Sequence, residues 1–163
     1  MCIIIRESTP KDIKTIQQIA ATTWAVTYHF LSIEQMEYML DWMYSTISLQ
    51  QQMQNGHQFY LAEINHTIIG FASVSKEDKN ICKLNKLYVL PTVQKTGAGK
   101  ALLKRVVAYA KELACNEIHL QVNRNNNAKD FYIKQGFTIL YEADFEIGNG
   151  FFMNDYVMGL KIS

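Results

Sequence analysis

Cysteine is scarce in this chain. Cys2, Cys82 and Cys115 are the only three in 163 residues, and no Cys-x-x-Cys pair occurs. That spacing argues against a zinc site or a dithiol redox motif, and no metal is expected. Sparse, odd usage fits a reducing compartment. Cys82 and Cys115 sit inside apolar patterns, the place for core thiols rather than nucleophiles. Charge of one sign is also missing. Sixteen Lys and Arg stand against 15 Asp and Glu, a formal +1, without the basic excess of a general nucleic-acid binder. No run approaches the ~20 apolar residues of a membrane span. The segment from Met1 to Glu7 lacks a basic n-region and a long h-region, so no secretion signal is expected. The chain therefore reads as cytoplasmic, with no nucleic acid and no membrane as partner. No repeat, linker or low-complexity tail breaks it, and its length suits one domain over residues 1–163.

What is present is an alternation of strand and helix patterns. Residues 2–6 read as a strand. Ser8-Thr9-Pro10 opens a helix with Ile13, Ile16, Ala20 and Trp24 at helical spacing. A second amphipathic helix enters at Ser32 and carries Ile33, Met36, Met39, Leu40 and Met43. A weakly patterned, Gln-rich helix fills 46–54. Residues 58–64 and 67–75 form a hairpin turning at Asn65-His66. Residues 81–90 form the next strand, whose apolar phase slips: Cys82 and Leu84 alternate, then Leu87 and Val89. A β-bulge produces such a slip; a strand buried on both faces is the alternative. Residues 100–114 give the clearest helix. A strand over 117–123 follows, then a helix capped within Asn125-Asn126-Asn127 and stopped at Gly136. Strands over 137–146 and 151–162 close the chain around Gly148-Asn149-Gly150. The order is mixed α/β.

The most informative stretch is Gln94-Lys95-Thr96-Gly97-Ala98-Gly99-Lys100, lying between a strand and a helix. Free N–H groups at a helix start make an anion site, and two glycines let the main chain approach a bulky ligand. Neither the P-loop nor the Gly-x-Gly-x-x-Gly spacing is present.

Gln94-x-x-Gly97-x-Gly99 after a strand resembles the acetyl-CoA motif of the GNAT superfamily of N-acetyltransferases. Asn125-x-x-Ala128-x-x-Phe131-Tyr132-x-Lys134-x-Gly136-Phe137 resembles that family's second motif, at the expected separation. The resemblance implies a GNAT fold, with a central twisted, mostly antiparallel sheet, a bulged and splayed strand, and flanking helices. It implies acetyl-CoA as cosubstrate. Leu87, Tyr88 and Val89 would pair with the pantetheine arm. Gln94, Lys95, Thr96, Gly97, Ala98, Gly99 and Lys100 would hold the pyrophosphate, the two lysines being otherwise plain surface residues. Asn125 would touch the cofactor, cap a helix, or both. Tyr132 would face the cofactor sulfur as catalytic proton donor; a core aromatic is its other reading.

The implied reaction is acetyl transfer to a primary amine of a small molecule. A polyamine is suggested by a loose likeness to the polyamine acetyltransferase branch in the first two helices and the final strand. A protein or peptide amine and a non-catalytic acetyl-CoA-binding regulatory module remain alternatives. Relatives are often dimers, which raises a homodimer here. Many relatives carry a glutamate base on the bulged strand; Asn85 stands near that place and cannot take a proton. Glu34, Glu37, Asp144 and Asp155 are the other carboxylate candidates. His29, His57, His66 and His119 read as structural or exposed. Trp24, Tyr28 and Asn85 are expected at the acceptor site.

Overall fold

The structure, a computed structural model, describes residues 2–163. It holds β1 (Ile3–Glu7), α1 (Ile13–Thr27), α2 (Ile33–Tyr44), α3 (Thr46–Gln54), β2 (Gln58–Ile64), β3 (Thr67–Asp78), β4 (Ile81–Val89), α4 (Ala98–Glu112), β5 (Glu117–Asn123), α5 (Ala128–Lys134), β6 (Thr138–Gly148) and β7 (Phe151–Lys161). The strands make one sheet in the order β1-β2-β3-β4-β5-β7-β6. Among the described residues β4–β5 is the one parallel pair; every other neighbour is antiparallel.

Local chemistry accounts for the element ends. Thr9 and Asp12 form a reciprocal capping box before α1, satisfying N–H groups that the helix cannot. Ser32 and Ser45 accept hydrogen bonds from Gln35 and Ser48 to start α2 and α3. Asn65 and His66 both take positive φ, 50° and 66°, the conformation a two-residue hairpin demands. The helix α4 begins at Ala98 rather than Lys100, because Gly97 at φ 89° caps it. The strand β3 runs three residues beyond the expected Ser75, still paired with β4 as far as Asp78 and Ile81.

Two cores sandwich the sheet. Leu102, Leu103, Val106 and Ala110 of α4 pack on Cys82, Leu84, Ile118, Leu120 and Met158. Ile13, Ile16, Ala20 and Trp24 of α1 pack on Phe59, Leu61 and Phe71 from the other face. The Cys82 thiol donates to the Cys115 sulfur at 3.4 Å, both buried and without a disulfide, and burial pushes the Cys82 thiol up to about 12. Neither is poised as a nucleophile.

The bulge is real and sits at Asn85. Ser73 faces Lys86 and Val74 faces Leu84, so Asn85 is the extra residue. Beside this irregular stretch β3 runs very close to β4. A methyl group at Gly70 would stand 2.7 Å from the Tyr88 carbonyl oxygen. Gly70→Ala is therefore expected to destabilise the protein by about 1–3 kcal/mol, as overpacking does. Urea unfolding checks it; an unchanged midpoint would mean that the two backbones do not need this approach.

Candidate active site

The strands β4 and β5 pair only at Ile81–Glu117, Cys82–Ile118 and Lys83–His119. Beyond Leu84 they separate, and a cleft of about 680 Å³ occupies the gap. Its two strand walls carry main-chain groups with no neighbour across the gap, and such groups seek partners.

The glycine turn closes one end. The first hydrogen bond of α4 runs from Ala101 N–H to Gly97 carbonyl. The N–H groups of Ala98, Gly99 and Lys100 thus precede the helical ladder and are free for an anion. Lys95 at φ 69° and Gly97 at φ 89° give the turn its curl, and the lysine side chains of 95 and 100 are exposed beside it. This donor set suits a pyrophosphate. Gln94, Lys95, Thr96, Gly97, Ala98, Gly99 and Lys100 all line the cleft.

Leu87, Tyr88 and Val89 form one wall, and Asn125 and Tyr132 lie on the opposite side. Asn125 does not cap α5. The Oδ1 of Asn126 accepts from Ala128 N–H at 2.9 Å and does that work. The Asn125 N–H is itself held by Asn123 Oδ1 at 2.9 Å, so its exposed side chain is left to the cleft. Tyr132 is 7% exposed, packed edge-on against Phe131 and Phe137. Burial raises its phenol further above the ordinary value, with Tyr28 adding to the effect. It stays protonated through the physiological range.

The far end is built by the last turns of α1. Thr23, Val26, Thr27, Tyr28 and His29 line it, facing Asn85 and Lys86 of β4 and Gln121 of β5. Tyr28 and Tyr88 share a hydrogen bond, hydroxyl to hydroxyl, at 3.0 Å. Trp24 does not reach the cleft. It is 2% exposed, with its ring tilted against Tyr28 at 4.5 Å and against Tyr88 at 6.1 Å. The expectation of a substrate contact there is corrected: its helical phase with Ile13, Ile16 and Ala20 places it in the core, where it backs the tyrosine pair. Asn85 does line the cleft, donating to Ser75 Oγ at 2.9 Å and lying 3.5 Å from His57 Nδ1.

None of the four carboxylate candidates lines the cleft. Glu34 and Glu37 are exposed on α2, and Asp144 is an exposed partner of Arg124. Asp155 differs. It is 5% exposed on β7, and its Oδ1 has no hydrogen-bond partner among the described residues. Burial raises its carboxyl to about 6 against the pull of Arg124 and Lys83. It pairs across the sheet with Asn123, on the face opposite the Val122 and Leu120 core, and influences the Tyr28 phenol. The histidines are scattered: His29 lines the cleft, His57 neighbours Asn85, His66 turns a hairpin, and His119 pairs with Glu117.

Sequence reasoning missed Lys86. It is 8% exposed, donates to Gln52 Oε1 at 2.9 Å, and lies over the rings of Tyr44 and Phe59 at 5.2 and 5.9 Å. Burial, then the charge of Lys83, lowers its ammonium to about 8. Among the described residues no group of three metal-ligating side chains occurs, and no helix is long and apolar enough to cross a membrane.

Comparison with known proteins gives a consistent picture. Residues 30–158 match the family model for the acetyltransferase (GNAT) domain. An uncharacterized N-acetyltransferase of Mycobacterium tuberculosis, Rv2669, is 39% identical over 92 residues, 56% of this chain; the match spans 58% of that relative's length. The spermidine N(1)-acetyltransferase of Thermoplasma acidophilum is 30% identical over 148 residues, 85% of this chain and 90% of the relative. The crystal structure of PaiA N-acetyltransferase from the same organism, in complex with coenzyme A, superposes with a TM-score of 0.83 at 28% identity, covering 99% of both chains. The splayed sheet, the glycine-capped helix and these matches together place the chain in the GNAT acetyltransferase family.

Proposed function

We propose that this chain, as a single catalytic domain, transfers the acetyl group of acetyl-CoA to a primary amine of a small molecule. The observation that carries the reading is the cleft between β4 and β5, closed at one end by free N–H groups and bordered by a buried tyrosine. The small-molecule acceptor is supported by the far end of the cleft, which is walled by Thr23, Thr27 and Tyr28 on one side and by Asn85, Lys86 and Gln121 on the other.

The thioester supplies the activated acetyl carbon; the amine nitrogen bonds to it and the carbon–sulfur bond breaks, giving an amide and the free thiol. An amine of pKa ~10.4 is unprotonated in only about one molecule in 2,500 at pH 7, so a proton must leave it. Asn85 cannot accept one. Asp155 is the carboxylate of this face that is buried, without a partner at Oδ1, and able to take a proton near neutrality. We assign it as proton acceptor, reached through water. The main-chain N–H of Val89 is proposed to polarise the carbonyl. Tyr132 is proposed to donate a hydrogen bond to the departing sulfur. Its raised phenol argues for donation rather than full transfer, because a thiol of ordinary acidity, ~8.5, is the stronger acid.

Tyr132→Phe is expected to bind coenzyme A as the parent does and to lose about 10²-fold or more in kcat, measured by calorimetry and thiol release. Unaltered turnover would remove Tyr132 from the chemistry. For Asp155 the sign follows from its raised carboxyl. The protonated form is the one folding favours, so stability from this group is full below pH ~4 and lost as pH rises through about 6. Asp155→Asn should therefore melt like the parent at pH 4 and above it at pH 7.5, while kcat/KM collapses. Parallel melting curves at both pH values would mean that Asp155 is not buried as described.

A further inference from the structure

One property of the acceptor end has no use in acetyl transfer as such: its charge. Among the described residues lining the cleft there is no aspartate or glutamate, whereas Lys86, Lys95, Lys100 and His29 are present. Lys95 and Lys100 belong to the glycine turn. Lys86 belongs to the acceptor end, and it is not alone there.

The bulge is the reason. In a regular strand residues 83 and 86 point to opposite faces, because side chains alternate with period two. Cys82 and Leu84 point into the α4 core before the bulge, and Leu87 and Val89 pack against the same core after it. The extra residue, Asn85, shifts the phase by one. Lys83 and Lys86 therefore share the face that bears α1. Lys83 occupies the last β4–β5 rung, where the cleft begins. His57, next to Asn85, feels both lysines, and Lys86 feels Lys83.

The neighbours of this group do not cancel it. The Lys86 ammonium has only neutral contacts: the Gln52 amide and two aromatic rings. Asp155 faces the same region from beyond β5 and feels Lys83 and Arg124, while Glu117, on this face of β5, is paired with His119. Arg124 is itself shared by Glu142 and Asp144. The face is thus dipolar, with two lysines on the β4 arm and one carboxylate on the β7 side. A polyamine, which carries several positive charges, could set one ammonium toward Asp155 but would bring its others against Lys83 and Lys86. Like charges in a partly desolvated site cost more than they do in water.

Resting on the acetyltransferase reading above, we propose that the acceptor is a small amino-carboxylate, with its amine toward Asp155 and its carboxylate toward Lys83 and Lys86, rather than a polyamine. A lysine pair set by a bulge serves here as a specificity element for a negative group. The transfer itself is unaltered: the bound ammonium gives one proton to Asp155, its nitrogen bonds to the acetyl carbon as the carbon–sulfur bond breaks, and the second proton lost from nitrogen passes through solvent to the thiolate, which departs as the thiol.

A ladder of amines that differ only at the far end tests this. Alanine and 4-aminobutyrate are compared with ethylamine, 1-butylamine and 1,4-diaminobutane at fixed acetyl-CoA. At least one amino-carboxylate should exceed its matched monoamine tenfold or more in kcat/KM, with the diamine last. That margin should shrink as salt is raised. Lys83→Gln should reduce the ratio of amino-carboxylate to monoamine kcat/KM by tenfold or more. A diamine equal to or better than the amino-carboxylates overturns the proposal, and so does a ratio indifferent to both salt and Lys83→Gln. Calorimetric titration of the same amines into the coenzyme A-loaded protein separates the two readings. Preferential amino-carboxylate binding without turnover of any amine would sink the acetyl-transfer reading and leave the charge recognition standing. The absence of both turnover and preferential binding overturns the recognition itself.

Discussion

The extra residue in β4 governs this molecule. Asn85 has no partner of its own in β3, and a bulged strand bends and twists more than its neighbours. The bend follows directly after the three rungs that β4 shares with β5. The strand β5 stays fully paired with β7 on its far side, so it cannot follow. The sheet opens between them. An internal edge of unpaired N–H and C=O groups results, and such an edge invites an extended ligand to pair with it. Everything that defines the cleft depends on this one insertion: the wall at Leu87, Tyr88 and Val89, the entry past the glycine turn, and the position of Tyr132 opposite.

The two faces of the sheet then take different tasks. The α4 face is apolar and tightly filled, and it fixes where the helix start and its free N–H groups lie. The α1 face is filled by aromatic rings that also carry polar tips. Trp24 and Phe71 pack on Tyr88, Tyr44 packs edge-on against both of them, and Tyr28 reaches the Tyr88 hydroxyl. Aromatic pairs of this kind combine large apolar area with a polar handle. They hold the C-terminal end of α1 and the turn after it against the bulged strand.

The bulge and the glycine turn were legible in the sequence because both are set by the backbone. A phase slip between Leu84 and Leu87 marks a bulge, and Gly97 marks a left-handed turn; both signals are local. The acceptor side was not. Lys86 meets Gln52, and Asp155 feels Tyr28 and Lys83, across separations that no periodicity reports. Sequence could not tell buried Asp155 from exposed Glu34, Glu37 and Asp144. Trp24 carried its own correction, since it repeats with Ile13, Ile16 and Ala20 on the core stripe of α1. The pairing of Lys83 with Lys86 on one face also followed from the bulge once its position was taken seriously.

One cause shifts both charged groups of the acceptor face, in opposite senses. Loss of water disfavours whichever form is charged, so it raises Asp155 to about 6 and lowers Lys86 to about 8. Both values move toward neutrality, where a small change in surroundings alters the protonation state. Separate burial of the two would be costly. A zwitterion lying between them brings each an opposite charge, and a nearby opposite charge favours the ionised form. Binding of such an acceptor would thus push Lys86 back toward its ordinary value while keeping Asp155 ionised until the ammonium surrenders its proton. A second ammonium group on the acceptor would act in the reverse direction on Lys86, lowering it further and weakening its own hold on the site.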